Sequence, residues 1–280
     1  MTGPLHGVRV VSVAVNVPGP VAVARLVGLG ASATTVLPPD GDPLQQYAPA
    51  WFEELHADHE VVTLDLKSDG GRGQLDELLA AADLLITSHR PSALLRLGLD
   101  FATRHAAHPR LCQVDIVGEA GERADVPGHD LTYQAGEGLV QPPAMPATLL
   151  SDLGGAERAA QEACAALVAR GVSGEGVHRV VALADVARDL AAPVRHGLTT
   201  PDGLLGGAYP PYAVYAAADG HVALAALEPH FLARTVAALG VPPDATHADY
   251  ARVFATRPVA QWLAIAVEQD LPLAAVVATG

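Results

Sequence analysis

The 280-residue sequence is poor in several kinds of residue, and each shortage excludes a class of protein. It has two cysteines, Cys112 and Cys164, which are too few for a disulfide framework or a thiolate metal site. Aromatic residues make up only 4% of the chain, and 17 basic residues stand against 31 acidic ones, so the net charge is -14. The chain therefore has neither the basic surface nor the stacking residues that nucleic-acid binding requires.

The sequence also has no long apolar run, and we expect no secretory leader. The N-terminal residues do not place a basic segment before an apolar core, and the apolar stretch Val10–Ala24 is interrupted by Asn16, Pro18 and Pro20. We therefore expect a soluble cytoplasmic protein without a membrane partner. Half of the residues are hydrophobic and 17% are charged, which excludes disorder and predicts a large buried core.

Strand and helix patterns alternate through the first half of the chain. β-branched runs such as Val8–Val15 predict buried strands, and apolar helical segments such as Val21–Leu29 follow them. This alternation predicts an α/β fold with an open, mostly parallel, Rossmann-like sheet. Further along, the pattern predicts an Ala-rich helix over Ala156–Arg170 and a hairpin at Asp219 and Gly220.

The Gly- and Pro-rich segment Gly203–Pro211 indicates a domain boundary. We predict a large α/β domain over residues 1–200. A smaller α+β domain is expected over residues 201–280.

Three acid–base residues lie at predicted helix starts. His129 lies where a loop enters a helix, Asp152 directly precedes the Ala-rich helix, and Glu228 stands between a strand and a helix. An aspartate before a helix is most simply explained as an N-cap, whose side chain accepts a hydrogen bond from the first turn. Taken singly, each of the three residues is therefore more typical of structure than of catalysis.

Other motifs point to no specific chemistry. The turn Val17–Pro20 lies between a strand and a helix but has neither the glycines of a dinucleotide fingerprint nor the lysine of a Walker A loop. His56 and His59, like His105 and His108, are spaced three residues apart without a third ligand nearby. This spacing is more typical of a solvated surface than of a metal site, and we expect no bound metal.

Motifs in consistent order along nearly the whole chain resemble the family III CoA-transferases. They are Pro18-Gly19-Pro20, Gly41-Asp42-Pro43, Ala82-Asp83-Leu84-Leu85-Ile86, Arg90-Pro91, Pro127-Gly128-His129-Asp130, Ala218-Asp219-Gly220 and Leu227-Glu228-Pro229-His230-Phe231. Within this family, the chain is most similar to the branch that includes α-methylacyl-CoA racemase. The Gly128-His129-Asp130 triplet and Asp152 before two glycines carry this closer resemblance.

The resemblance to the racemase branch implies an acid–base mechanism. His129 and Asp152 would exchange the α-proton of an acyl thioester through an enolate, and Glu228 would hydrogen-bond the histidine. Backbone N–H groups at the helix start near Asp152 and Gly154 are expected to stabilise the enolate oxygen.

The resemblance also implies partners. Pro18, Gly19, Lys67 and Arg90 are the expected contacts of a CoA moiety, which would enter as part of the substrate, and no separate cofactor is expected. Family members form interlocked dimers, so the expected assembly is a homodimer.

Two departures from the family pattern leave the substrate open. Leu37-Pro38-Pro39 stands where most members have an arginine, and His56–Glu60 replaces a basic run. The chain is also shorter than most members, so the segment that returns to the large domain is expected to be missing. One alternative is a CoA-independent isomerase, epimerase or cyclase of a natural-product or carrier-protein-bound intermediate. A CoA-transferase with Asp152 as nucleophile and a non-catalytic binding paralogue are two others.

Overall fold

The computed structural model describes residues 3–277, which form two compact units. The first unit ends at Ala191 and the second begins at Ala192. Residues 1–2 and 278–280 of the two predicted domains lie outside the described residues.

The first unit contains six strands and nine α-helices among its described residues. The strands are β1 (Arg9–Ser12), β2 (Ser32–Leu37), β3 (Glu60–Thr63), β4 (Leu84–Thr87), β5 (Cys112–Val117) and β6 (His178–Ala182). The helices are α1 (Pro18–Gly28), α2 (Leu44–Tyr47), α3 (Pro49–His56), α4 (Asp69–Ala80), α5 (Pro91–Leu97), α6 (Phe101–Ala107), α7 (Asp130–Gly136), α8 (Leu150–Ser173) and α9 (Leu183–Leu190).

These strands form one parallel sheet in the order β3-β2-β1-β4-β5-β6. The predicted α/β fold with a mostly parallel sheet is thereby confirmed. The chain builds outward from β1 through β2 to β3 and then continues on the other side of β1 with β4. In open α/β sheets, the carboxyl ends of the strands at such a switch point leave a crevice where ligands bind.

Both faces of the sheet are covered by helices, as a parallel sheet requires. Val10 points toward the face that packs against α1, α3, α8 and α9, whereas Val11 points toward the face that packs against α4 and α5. Neighbouring residues of a strand point to opposite faces, so the continuous β-branched runs supply both cores.

Helix α8 spans 24 residues and packs through a stripe of alanines. Ala156, Ala159, Ala163 and Ala166 are fully buried at intervals of three or four residues. Their short side chains allow a close approach to α1, so a larger residue in the stripe would overpack the contact by about 1–3 kcal/mol. Neither α8 nor any other helix within residues 3–277 is long and apolar enough to cross a bilayer.

The second unit combines an antiparallel sheet with helices. Its elements are α10 (Ala192–Arg195), β7 (Tyr212–Ala216), β8 (His221–Ala225), α11 (Pro229–Leu239), α12 (His247–Phe254), α13 (Val259–Gln269) and β9 (Leu273–Ala275). β7 and β8 form the predicted hairpin, and β9 pairs with β8. The core of this unit is aromatic, with Phe254 stacked on Tyr215 and in edge contact with Trp262.

Candidate functional site

A polar cavity of about 220 Å³ opens at the switch point of the sheet. Its walls come from the segments that follow β1, β4 and β5 and from the starts of α7 and α8. The polar and charged residues that line it are Asn16, Ser88, Arg90, His129, Tyr133 and Asp152. We call it the switch-point cavity. Two of the three predicted acid–base residues, His129 and Asp152, therefore face the same space.

The start of α8 differs from the sequence prediction. The helix begins at Leu150 and not at Ala156, so Asp152 lies inside its first turn and its side chain makes no capping bond. Asp130 supplies the cap instead, because its Oδ1 accepts the N–H groups of Ser151 at 2.8 Å and Asp152 at 3.1 Å. The interpretation of Asp152 as an N-cap is wrong, and its carboxylate is free for chemistry in the cavity.

This cap also removes the predicted oxyanion donors. The N–H groups of Ser151 and Asp152 bond Asp130, and the next N–H, that of Leu153, donates to the carbonyl of Leu149 at 2.9 Å. The N–H groups of Ser151, Asp152 and Leu153 are thus occupied, the first two by the buried Asp130 carboxylate and the third by the Leu149 carbonyl. The prediction that they stabilise an enolate oxygen is wrong.

The carboxyl group of Asp152 is poised between its two protonation states near neutral pH. Burial raises the pKa of Asp152 to about 7, and the negative charge of Asp130 adds to the effect. Asp130 itself is 5% exposed, and its second oxygen accepts Gln134 Nε2 at 2.5 Å. One buried acid thus fixes the backbone beneath Asp152 and favours protonation of its side chain.

His129 is the N-cap residue of α7, as the sequence predicted from its place before a helix. Its backbone N–H donates to Thr132 Oγ1 at 3.0 Å, so the main chain is fixed at the helix entry. The imidazole is exposed and lines the switch-point cavity. Because Asp130 follows it directly, the residue that caps α8 also ties His129 to the segment that carries Asp152.

The turn after β1 forms a further wall of the cavity. Asn16 has a positive φ of 68°, and its N–H donates to both oxygens of the buried Asp42 at 3.0 and 3.1 Å. Pro18 lines the cavity, whereas Gly19 is buried beneath it and a Cβ there would lie 2.3 Å from the Cβ of Ala14. Close packing therefore accounts for the glycine.

The two predicted basic contacts lie in different cavities. Arg90 lines the switch-point cavity. Lys67 lines a second cavity of about 270 Å³ whose walls follow the carboxyl ends of β1 to β4, and we call it the lysine cavity. His89 lines the lysine cavity, whereas Ser88 and Arg90 line the other.

Glu228 belongs to the second unit and is the N-cap residue of α11. Its side chain is exposed and makes no capping hydrogen bond. The role that the resemblance assigns to Glu228 stays a prediction.

The first histidine pair is not a solvated surface. His56 is 7% exposed, stacks on Phe52, and has its Nδ1 2.8 Å from the Phe52 carbonyl oxygen. His59 Nε2 lies 2.9 Å from Thr35 Oγ1, and burial lowers the pKa of His59 to about 4. These histidines close the space between α3 and the sheet. No cluster of three metal-binding side chains occurs between residues 3 and 277.

Sequence reasoning missed two residues of the site, Asp130 and Tyr133. Asp130 belongs to the Gly128-His129-Asp130 triplet, but its capping role was not predicted. Its hydrogen bonds reach residues 21 and 22 positions further along the chain, and no local pattern indicates such contacts. Tyr133 lies four residues after His129, and this helical spacing is a signal that would have found it. Both residues lie on α7, whose N-terminus is therefore central to the site.

Comparison with known proteins places the chain in a family. The sequence model of CoA-transferase family III matches residues 5–279. The acetyl-CoA:oxalate CoA-transferase of Acetobacter aceti is 30% identical over 200 residues, which are 65% of this chain and 51% of that protein. The succinate–glutarate CoA-transferase of Agrobacterium fabrum is 28% identical over 251 residues, which are 79% of this chain and 63% of that protein.

Another relative matches a shorter part of the chain. The cinnamoyl-CoA:phenyllactate CoA-transferase of Clostridium sporogenes is 34% identical over 47% of this chain and 35% of that protein. The chain thus spans less than two thirds of the length of these curated relatives. All three are named as CoA-transferases and none as a racemase, so the narrower assignment to the racemase branch stays a prediction.

Solved structures share the fold. A hypothetical protein from Mycobacterium tuberculosis superposes with a TM-score of 0.85 at 24% identity, covering 99% of this chain and 85% of that one. A CaiB/BaiF family protein from Brucella suis superposes with a TM-score of 0.82 at 23% identity and the same coverage. At this identity, the likeness concerns the fold alone.

Proposed function

Since this chain belongs to CoA-transferase family III, we propose that it moves the α-proton of an acyl thioester through an enolate, as a racemase or epimerase does. His129 and Asp152 are the acid–base pair. One of them removes the α-proton, and the electrons of the C–H bond move to the thioester carbonyl oxygen. The other returns a proton to the opposite face of the α-carbon.

The observation that carries this proposal is the meeting of two titratable groups in one small polar cavity. A proton transfer that runs in both directions needs a base and an acid whose pKa values lie near the working pH. An ordinary aspartate, with a pKa near 4, is a weak base, whereas the pKa of Asp152 is raised to about 7. Asp152 can therefore accept and return a proton at neutral pH.

The acyl carrier is the less defined part of the substrate. Pro18 and Arg90 line the cavity that holds the acid–base pair, and Lys67 lies in the separate lysine cavity. A CoA thioester fits this division if its thioester end lies beside Asp152 and its nucleotide end reaches Lys67. A carrier-protein thioester or a small natural-product intermediate would need only the first contact.

Hydrogen exchange at the α-carbon tests the proposal. With a 2-methylacyl-CoA in D₂O, the protein is expected to introduce one deuterium at the α-carbon, measured by mass spectrometry or NMR. His129→Ala and Asp152→Asn should each slow the exchange by about 10²- to 10⁴-fold. Matched controls are His6→Ala and Asp69→Asn, since both side chains are exposed and lie outside the cavity.

Two results contradict the proposal. Exchange that both substitutions leave unchanged would place the chemistry elsewhere. A protein that binds the thioester but exchanges no proton would favour the non-catalytic paralogue or a CoA-independent reaction.

A CoA-transferase is the second candidate, because the compared relatives are named as transferases. In that reaction, a carboxylate oxygen of Asp152 attacks the thioester carbonyl carbon, and the CoA thiolate leaves a mixed anhydride on the enzyme. Hydroxylamine would convert this anhydride into a hydroxamate at Asp152, which peptide mass spectrometry detects. Hydroxamate formation and CoA release without α-proton exchange would select the transferase.

A further inference from the structure

The proposed reaction places negative charge on the thioester carbonyl oxygen, and that oxygen needs a hydrogen-bond donor. Such donors commonly account for a factor of about 10²–10³ in rate. The N–H groups of Ser151, Asp152 and Leu153, which helix α8 would otherwise offer, are already bonded. With these three groups occupied, another element of the cavity is the alternative source of the donor.

Tyr133 presents a hydroxyl group to this cavity. The residue lies on α7 and is only 8% exposed, yet its hydroxyl makes no hydrogen bond with any residue of the described chain. The hydroxyl oxygen is not one of the fully buried unpartnered atoms, so it is accessible from the cavity. Because the side chain lines the same cavity as His129 and Asp152, a ligand bound there can accept its hydrogen bond.

Two glycines make room for this hydroxyl. A Cβ atom built on Gly118 would lie 2.2 Å from the Tyr133 hydroxyl oxygen, and one built on Gly128 would lie 2.5 Å from it. Gly118 directly follows β5, and Gly128 directly precedes His129. At both positions, any residue other than glycine would place its Cβ where the Tyr133 hydroxyl lies. The two glycines therefore define the place of the hydroxyl in the cavity wall.

The hydroxyl also keeps its proton at neutral pH. Burial raises the pKa of Tyr133 above its usual value, and the charges of Asp152 and Glu119 raise it further, against a smaller opposing effect of Arg90. A neutral phenol donates a hydrogen bond, whereas a phenolate does not.

We propose that Tyr133 is a catalytic residue whose hydroxyl donates a hydrogen bond to the thioester carbonyl oxygen of the substrate. This inference rests on the proposed function, because it assumes a thioester beside Asp152. When the α-proton leaves, charge develops on that oxygen and the hydrogen bond strengthens. Tyr133 retains its proton throughout, since the proton transfers run between the α-carbon and the acid–base pair.

Tyr133→Phe tests the inference, because it removes only the hydroxyl. The kcat for α-proton exchange is expected to fall by about 10²-fold, with a smaller change in KM, since the bond is strongest in the transition state. The melting temperature should not fall, because the hydroxyl has no protein partner to lose. Tyr215→Phe is the matched control: its hydroxyl donates to the Pro210 carbonyl at 2.6 Å, so its loss should lower the melting temperature and leave kcat unchanged.

A double-mutant cycle with Gly118→Ala adds a second readout. The added methyl group collides with the Tyr133 hydroxyl, so Gly118→Ala alone should reduce kcat by a factor similar to that of Tyr133→Phe. Without the hydroxyl, the nearest ring atom would be 3.2 Å away. In the Tyr133→Phe background, the alanine should therefore cost little further activity.

The outcomes separate this inference from the proposed function. An active wild-type enzyme whose Tyr133→Phe variant keeps full kcat overturns the role of Tyr133 and leaves the acid–base pair intact. If the wild type transfers acyl groups without α-proton exchange, the proposed function fails, but Tyr133→Phe must still slow anhydride formation, because the same oxygen takes the charge. A wild-type protein that performs neither reaction on any thioester overturns both.

Discussion

The switch-point cavity and the lysine cavity lie along the same edge of one sheet, yet they are built differently. The switch-point cavity contains a carboxyl group, an imidazole and a phenol, and the main chain beneath them is fixed by the buried Asp130. The lysine cavity is walled largely by apolar side chains and prolines, and its titratable residues are Lys67, His89, Asp40 and Asp65. The first arrangement suits bond making at fixed positions, whereas the second suits the less exacting binding of a remote part of a ligand.

This contrast shows that the position of a cavity at the carboxyl edge of the sheet does not by itself determine which reactive groups the cavity contains. Both cavities are formed by segments that leave the carboxyl ends of parallel strands. Only the switch-point cavity also receives the starts of α7 and α8, which contribute His129 and Asp152. The helix starts that border the switch-point cavity therefore account for the different chemistry of the two cavities. Four experiments test this conclusion.

The largest effect is expected from Asp130→Ala. The substitution leaves the N–H groups of Ser151 and Asp152 without an acceptor, which should cost about 2 kcal/mol of unfolding free energy. Displacement of Asp152 should lower α-proton exchange by about 10²-fold. Thermal denaturation and the exchange assay measure the two effects, and a variant with wild-type values for both would show that the cap does not position the site.

The next effect concerns stability and pH. The folded-state pKa of Asp152 is about 7 and its unfolded value is near 3.8, so the folded protein binds a proton more tightly between these values. Asp152 therefore contributes stability that is present in full below pH 4 and is lost as the pH rises to 7, by at most about 1.4 kcal/mol per pH unit.

Asp152→Asn should abolish this loss. In urea titrations, its unfolding free energy relative to wild type should grow from pH 4 to 7 by up to about 4 kcal/mol and then stay constant. A constant difference across this range would contradict the raised pKa.

A smaller effect is expected from Asp130→Asn, which keeps an oxygen acceptor for the cap but removes the charge. Without that charge, the pKa of Asp152 should fall, by less than half of its total rise because burial is the larger cause. The acidic limb of the rate profile, which reports ionisation of Asp152 as the base, should move to lower pH. A shift to higher pH would contradict the assigned direction.

The smallest effect is expected in the lysine cavity. Lys67→Met should raise the KM for a CoA thioester by about 3- to 10-fold and leave kcat unchanged, because a remote contact contributes equally to substrate and transition state. The KM for a short N-acetylcysteamine thioester should not change. Arg158→Met, which removes a base from the outer surface of α8, is the matched control for net charge. Equal effects of Lys67→Met on both thioesters would show that the cavity does not hold the nucleotide end.

Much of the first unit could be predicted from local patterns. Helix α1 covers nearly all of the predicted segment Val21–Leu29, and α8 contains all of Ala156–Arg170, because apolar helical periodicity carries its own signal. The strand predicted over Val8–Val15 ends at Ser12, since the residues that follow leave the sheet and line the two cavities. Helices α3 and α5 were missed because each begins with a proline that also marks turns.

The site was only partly predictable for a different reason. His129 and Asp152 could be singled out as acid–base residues at helix starts, but their environment depends on contacts that are distant in sequence. The cap from Asp130 crosses a loop, and the space for Tyr133 depends on glycines at two separate positions. Long-range hydrogen bonds and shared cavities produce no periodic pattern in the amino-acid sequence, so they could not be predicted from it.

The segment Ser88-His89-Arg90 after β4 has a consequence for how this protein can change during evolution. Its residues face the two cavities in turn, so a substitution at His89 alters one cavity while substitutions at Ser88 or Arg90 alter the other. Reactivity and carrier preference can therefore diverge independently through point changes. An insertion or deletion of one residue would exchange the two sets at once, and we expect homologues to vary in composition here while keeping its length fixed.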